Sequence, residues 1–254
     1  MSIDSPGSDE SGARTAVVIP AAGRGVRLGP GAPKALRELS GTPMLVHAVR
    51  ATHRARAVSL VVVVGPPDGT AEVRNLLDEH GLQDVEVVPG GETRQDSVRL
   101  GLAALPAGIS TVLVHDAARP LVPADTVDAV AAAVREGAPA VVPALPVTDT
   151  VKEVEPRAPD APAQTPEPVT GTPDRSRLRA VQTPQGFARD VLAEAHARVA
   201  REGEGATDDA GMCERIGVEV VVVPGHEEAF KVTRPLDLVL AEAVLARRRV
   251  NDGF

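Results

Sequence analysis

Arg24, Arg27 and Lys34 fall in one glycine-rich loop, within the stretch "VVIPAAGRGVRLGPGAPKAL" (17–36). An apolar run stops at Pro20, and bare backbone follows. Glycine lets a main chain come close to a ligand. Arg27 and Lys34, seven residues apart around that turn, suit a triphosphate whose charge changes during reaction. A tight turn with no ligand is the alternative. A dinucleotide fold would want a third glycine for helix packing and an acidic residue closing the second strand. Asp68, after "VVVVGPP", is a displaced match, and the cations suit that reading badly. No G-K-[ST] follows, so the loop is not a Walker loop. Arg24 is given no role.

Other chemistry-bearing residues sit in three short stretches. "GGETRQDSV" (90–98) reads as a turn and a helix cap that also exposes backbone donors. "VHDAARP" (114–120) puts Asp116 at the end of an apolar run, where an open sheet places metal or substrate ligands. A structural ion pair between Asp116 and Arg119 is the plainer alternative. "FKVTRPLDL" (230–238) adds Lys231. His115 reads as a core or supporting group. Asp208 and Asp209 in "ATDD" also read as a helix N-cap pair. Cys213, the single cysteine, excludes an internal disulfide and a cysteine-rich zinc site.

These residues need a rigid frame, and the sequence supplies one. Val-rich runs recur at 15–20, 58–65, 85–89, 111–116, 138–146 and 218–224. Continuous β-branched runs suit parallel strands buried on both faces. Helical patterns lie between them. Thr42–Pro43 reads as an N-cap with proline at the first helical position, followed by Leu45, Ala48, Val49 and Thr52. Thr93–Asp96 reads as a capping box before Val98, Gly101, Leu102 and Leu105. Val127, Val130, Ala131 and Val134 form another stripe. The expected fold is α/β: a Rossmann-like, doubly wound, mostly parallel sheet over residues 15–250, with sites at the carboxyl ends of strands.

One segment breaks the alternation. Residues 151–185 are dense in proline and cannot hold a long helix. Strand-like pieces, "VTDTVKEV" and "LRAVQ", flank it. They are expected to form a protruding two-stranded arm over 147–182, with a Pro-rich tip at 156–173. Residues 1–14 are acidic and Ser/Gly-rich with no apolar core, as in a disordered tail rather than a signal peptide.

Composition narrows the function. Hydrophobic residues are 43% of 254, but aromatics only 1%, with no Trp or Tyr. The core must be aliphatic, and base-stacking platforms for single-stranded nucleic acid are missing. Net charge is −8, which argues against a polyanion-binding surface. No apolar run reaches membrane-span length. A cytoplasmic protein with neither nucleic-acid nor membrane partners is expected.

Taken together, "PAAGRGVRLGPGAPK", "GGETRQDSV", "VHDAARP", "TPQ", "ATDD" and "FKVTRPLDL", in that order over residues 15–249, resemble the 2-C-methyl-D-erythritol 4-phosphate cytidylyltransferase family of the non-mevalonate isoprenoid pathway. The resemblance implies transfer of CMP from CTP to methylerythritol phosphate, with Mg²⁺, by a homodimer locked through the arm. It implies that Arg27 and Lys34 stabilise the transition state, and that Arg175 and Lys231 position methylerythritol phosphate. Pro20, Ala21, Ala22, Gly23, Gly91, Glu92, Ser97 and Ala117 would contact the nucleotide. Asp116, also the metal ligand, would act with Arg119, Thr150, Thr183 and Thr207 on the substrate side. Arg177 and Arg179 compete with Arg175 for its place. Arg175, on the returning side of the arm, is expected to reach the partner subunit's site. Another sugar-phosphate nucleotidyltransferase or a non-catalytic nucleotide-binding module are the alternatives.

Overall fold

The computed structural model describes residues 14–23, 34–202 and 206–251. The expected tail, 1–14, lies outside them except for Arg14, which opens the first strand, and the loop cations Arg24 and Arg27 lie outside them. Of Lys34 only the backbone is described, opening a one-turn helix, Lys34–Leu36.

Along the chain run β1 (Arg14–Pro20), β2 (Glu38–Leu39), β3 (Thr42–Pro43), α1 (Met44–His53), β4 (Val58–Gly65), α2 (Thr70–Glu79), β5 (Glu86–Pro89) and α3 (Arg94–Ala104). There follow β6 (Ile109–Val114), α4 (Ala124–Arg135), β7 (Ala140–Pro146), β8 (Glu153–Val154), β9 (Val169–Gly171), β10 (Arg179–Val181) and β11 (Gln185–Ala188). The last elements are α5 (Arg189–Glu202), α6 (Asp209–Arg215), β12 (Val220–Pro224) and α7 (Pro235–Asn251).

The main sheet orders these strands β10-β7-β11-β6-β1-β4-β5, with β12 also on β7. β6, β1, β4 and β5 are parallel neighbours, as are β7 and β12. Successive residues of each strand enter opposite cores. Val17 and Ile19 pack with α1, α2 and α4 side chains, such as Val49, Leu77 and Val130. Ala16 and Val18 pack with α3, α5 and α6 side chains, such as Leu102, Leu192 and Met212. The valine runs are apolar at every position because both faces are covered. A third cluster seats α7, through Ala241, on Leu39, Met44, Leu121 and Val232.

The structure departs from the expected elements at five places. Thr42–Pro43 is a short strand paired with β2, and α1 starts at Met44 with no side-chain cap bond. The chain gains two ladder positions there that a helix start would leave unpaired. β6 stops at Val114, so Asp116 lies in the turn beyond the strand rather than ending it. The His115 N–H still donates to the Val18 carbonyl at 2.9 Å, and the chain leaves the sheet only after it. "LRAVQ" belongs to the main sheet, where Arg179–Val181 pair antiparallel with Ala144–Pro146. The arm's return strand is β9, paired antiparallel with β8. It lies inside the stretch assigned to the tip, since valine and threonine at 169–170 suit a strand better than the prolines before them. Finally, β11 runs antiparallel between β6 and β7 and had no counterpart in the sequence reading. Its "QGFA" has a glycine in place of a strand-forming side chain. A Cβ on Gly186 would lie 2.6 Å from Val130 Cγ1, so the glycine is there because α4 crosses tightly over the strand.

The helix stripes fall where the spacing puts them. Leu45, Ala48, Val49 and Thr52 are buried in α1, and Val127, Val130, Ala131 and Val134 in α4. Thr93 caps α3, its Oγ1 accepting from the Asp96 N–H at 3.0 Å. Among the described residues no helix is long and apolar enough to cross a membrane.

Candidate active site

The carboxyl ends of β1, β5 and β6 open on one side of the sheet, where an open α/β fold places ligands. A cavity of about 270 Å³ lies there. Most of its wall comes from three chain segments, each placed by backbone bonds, and Ala35 and Lys231 complete it.

The first is Pro20–Gly23, running out of β1. The Ala21 N–H donates to the Val64 carbonyl at 2.8 Å, which holds the chain against β4. The second is the Gly90–Ser97 turn. The Gly90 N–H donates to the Gly65 carbonyl at 2.8 Å. A Cβ on Gly90 would lie 2.9 Å from that oxygen and from Ser97 Oγ, and 3.0 Å from Ala22 Cβ. The buried Ser97 hydroxyl accepts from the Gly91 N–H at 3.2 Å and donates to the Thr93 carbonyl at 3.0 Å. The third segment is Asp116–Ala118 beyond β6. The Val232 N–H donates to the Ala118 carbonyl at 2.8 Å, bringing Lys231 beside Asp116.

Behind Lys231, α7 fixes the approach. Glu228 pairs with Arg247 and Arg248, and Arg248 also donates to the Leu121 carbonyl at 2.7 Å. The neighbouring Ala229 carbonyl accepts from Arg119 at 2.7 Å. Arg119 donates again to the Val181 carbonyl, at 3.2 Å.

Asp116 is the electrostatic centre. Its Oδ2 accepts from Lys231 Nζ at 2.7 Å, and its Oδ1 lies 3.4 Å from both Arg94 Nε and Nη2. Arg119 Nε is 4.0 Å from Oδ2. Burial alone would push the Asp116 carboxyl up; Arg94, Lys231 and Arg119 outweigh it and hold the group well below the usual carboxylate range. The anticipated Asp116–Arg119 pair is thus the longest of the three, because Arg119 spends its guanidinium on two backbone carbonyls.

His115 supports from below. Its Nε2 donates to the Arg119 carbonyl at 3.1 Å, so Nδ1 is free to accept from the Thr183 hydroxyl, also at 3.1 Å. Thr183 Oγ1 in turn accepts from the Asp116 N–H at 3.0 Å. Burial pulls the His115 pKa down to about 4, which keeps the ring neutral. It is a fixed structural bridge and not a base facing the cavity.

Of the residues singled out in the sequence, Pro20, Ala21, Ala22, Gly23, Gly91, Glu92, Ser97, Asp116, Ala117 and Lys231 line this one cavity. Thr183 and Arg119 touch it through Asp116. Thr207 lines a separate open depression with Ala206, Gly211, Glu214 and Arg215. Arg175 and Thr150 are exposed at the base of the arm, where Arg175 donates to the Thr148 carbonyl at 2.6 Å.

Sequence reasoning missed Arg94, though it lies inside a quoted motif. It lines the cavity and bridges to the fully buried Asp209, whose carboxylate accepts from Arg94 Nη1 at 2.8 Å and from His196 Nε2 at 2.9 Å. A signal was present. Arg94 is the first residue of α3, and a cation at a helix N-terminus opposes the macrodipole. Such a residue needs carboxylates elsewhere. The N-cap reading of "DD" holds for Asp208 alone, whose Oδ1 accepts from the Gly211 N–H at 2.9 Å.

The turn geometry yields an expectation. Gly90→Ala should destabilise the fold by about 1–3 kcal/mol, because the neighbours of the new methyl are backbone and a buried hydroxyl. Thermal denaturation reads this directly. A variant as stable as the parent would show that the β5–α3 turn can shift without cost.

A family model for 2-C-methyl-D-erythritol 4-phosphate cytidylyltransferase matches residues 15–247. The chain is 73% identical over 257 residues to the protein of that name from Streptomyces avermitilis, covering all of both chains. Among solved structures, a 2-C-methyl-D-erythritol 4-phosphate cytidylyltransferase from Thermus thermophilus superposes with a TM-score of 0.69 at 36% identity, over 91% of this chain and 98% of that one. A 4-diphosphocytidyl-2C-methyl-D-erythritol synthase from Anaerococcus prevotii gives a TM-score of 0.78 at 26% identity, over 94% of this chain and 100% of that one. With a matched span that includes every wall of the cavity, the chain belongs to the 2-C-methyl-D-erythritol 4-phosphate cytidylyltransferase family.

Proposed function

We propose that this chain transfers CMP from CTP to 2-C-methyl-D-erythritol 4-phosphate and releases pyrophosphate. The observation that carries the reading is the meeting, in one cavity, of the Pro20–Gly23 backbone, the Gly91–Ser97 turn and the Asp116–Lys231 pair.

The attacking atom is an oxygen of a phosphate monoester. Its second pKa is about 6, so the group is mostly dianionic at neutral pH. No general base is needed, which agrees with a neutral, enclosed His115. The barrier is repulsion between two phosphate groups, with charge gathering at the α-phosphorus during in-line attack. Arg27 and Lys34 are assigned to that charge, and Lys231 to the attacking phosphate. Pro20–Gly23, Gly91, Glu92, Ser97 and Ala117 are assigned to the nucleotide. Thr150, Thr183, Thr207 and Arg119 are assigned to the second substrate, Thr183 and Arg119 acting beside Asp116.

Asp116 fits Mg²⁺ as it travels with a triphosphate. Such an ion keeps several waters and takes one or two carboxylates besides the phosphates. The ion would neutralise the triphosphate and draw charge from the reacting phosphorus.

Release of pyrophosphate with each of the four nucleoside triphosphates, against methylerythritol phosphate and common sugar phosphates, tests this. Turnover is expected with CTP and methylerythritol phosphate. Preference for a sugar phosphate would move the reading to another nucleotidyltransferase, and no turnover with any pair would favour a binding module.

The arm gives the reading its second half. Val151, Val154 and Val169 are exposed on it, and nearly every residue from 151 to 170 faces solvent. A lone two-stranded ribbon is marginal in water, so a second subunit is its natural seat, with Arg175 completing that subunit's site. The reaction is placed in the cytoplasm. Mixed dimers of a Lys34→Ala chain and an Arg175→Ala chain decide the point. Action in trans leaves one site of each mixed dimer intact, so activity returns. Verified mixed dimers as inactive as their parents would put Arg175 in its own chain's site.

A further inference from the structure

Arg94 stands between two carboxylates at unequal distances. Its Nη1 is 2.8 Å from Asp209 Oδ2, while its Nε and Nη2 are both 3.4 Å from Asp116 Oδ1. A full charge-assisted bond between such groups is about 2.7–2.9 Å. The guanidinium is therefore bonded to Asp209 and held short of Asp116. Asp209 is itself held at both carboxylate oxygens. It is fully buried on the first turn of α6, and its other oxygen accepts from the buried His196 of α5. Burial would push the Asp209 carboxyl up, but His196 and Arg94 outweigh it and keep it ionised.

From this we infer that Asp209, fixed by His196, is a tether that keeps Arg94 at arm's length from Asp116, so that Asp116 stays aimed while Oδ1 remains open to a ligand in the cavity. The inference deepens the proposed function and rests on its assignment of Asp116 to the phosphates and their cation. Lys231 occupies Oδ2 at 2.7 Å. If Arg94 closed on Oδ1 as well, the carboxylate would have both edges taken by protein. If Arg94 were absent, Asp116 would swing to Lys231 and Arg119 and draw Lys231 away from substrate. The intermediate distance avoids both outcomes, and a buried carboxylate on a different helix is what sets it. Arginine suits the post, because its rigid planar fork spreads its donors toward two carboxylates at once, whereas an ammonium is a compact point charge.

Two variants separate tethering from mere support. In Asp209→Asn the side-chain shape persists but the charge holding Arg94 back is gone, so Arg94 closes on Asp116 and competes with ligand. CTP affinity in the presence of Mg²⁺, measured by calorimetry without the second substrate, should fall about tenfold, with KM for CTP rising in step and kcat at saturation nearly kept. In Arg94→Lys the ammonium stays on buried Asp209 and no longer faces Asp116, so stability is retained while kcat falls about tenfold. A purely structural link would lower thermal stability and leave affinity and turnover per folded molecule unchanged. A folded Asp209→Asn protein that binds CTP like the parent overturns the inference. If that variant does not fold, parental turnover in Arg94→Lys overturns it instead. Because CTP binding is read apart from turnover, failure of the tether and failure of the proposed reaction give different results.

Discussion

A carboxylate taken out of water costs several kcal/mol unless cations and donors answer it. Asp116 is nearly buried, and three cations stand around it, with Lys231 at 2.7 Å, Arg94 at 3.4 Å and Arg119 at 4.0 Å. A unit-charge pair at about 4 Å is worth about 4 kcal/mol at an effective dielectric of about 20, and for Asp116 itself these attractions outweigh the burial that pushes its carboxyl up. The converse matters as much. Each cation is held by something besides Asp116. Arg119 leans on the Ala229 and Val181 carbonyls, and Arg94 on Asp209. Lys231 is presented by a segment that Glu228 and the arginines of α7 pin down. The carboxylate therefore joins three arms of the fold at one point.

That convergence follows from sheet topology. β1, β4, β5 and β6 run parallel, so their carboxyl ends share a rim, and the segments leaving β1, β5 and β6 become neighbours across it. Close approach at the rim is permitted by small residues: Ala21, Ala22 and Gly23 after β1, Gly90 and Gly91 after β5, Ala117 and Ala118 after β6. The charged groups come from farther away in sequence. Lys231 is 115 residues from its carboxylate partner, as is Arg94 from Asp209. A site built this way depends on the whole domain being folded, and distant segments such as α6 and α7 have a direct bearing on its charges.

Much of the frame was legible because its signals are local. Valine runs buried on both faces mark the parallel strands, and Thr93 marks the start of α3. What escaped was set by neighbours distant in sequence. Gly186 gives no strand signal of its own, and its reason is α4 crossing close over it. "LRAVQ" has strand character, but only β7 decides that it joins the main sheet and not the arm. Asp116 and Lys231 could be placed near phosphates by motif resemblance, whereas their 2.7 Å contact could not. Arg94 was overlooked because a helix-cap motif explained its surroundings and left its charge unexplained.

We propose that the Asp116 carboxylate holds the surrounding cations in the places from which they act on the phosphates. Asp116→Asn tests it most directly, since the amide keeps the shape and can still meet Thr183 through the backbone. Pyrophosphate release by the folded variant, at saturating CTP and methylerythritol phosphate, is the measurement. Its kcat is expected to fall by about a hundredfold or more, with the protein still folded. Turnover within a few-fold of the parent would contradict it, and would show that the cations hold their places and do their work without the charge between them.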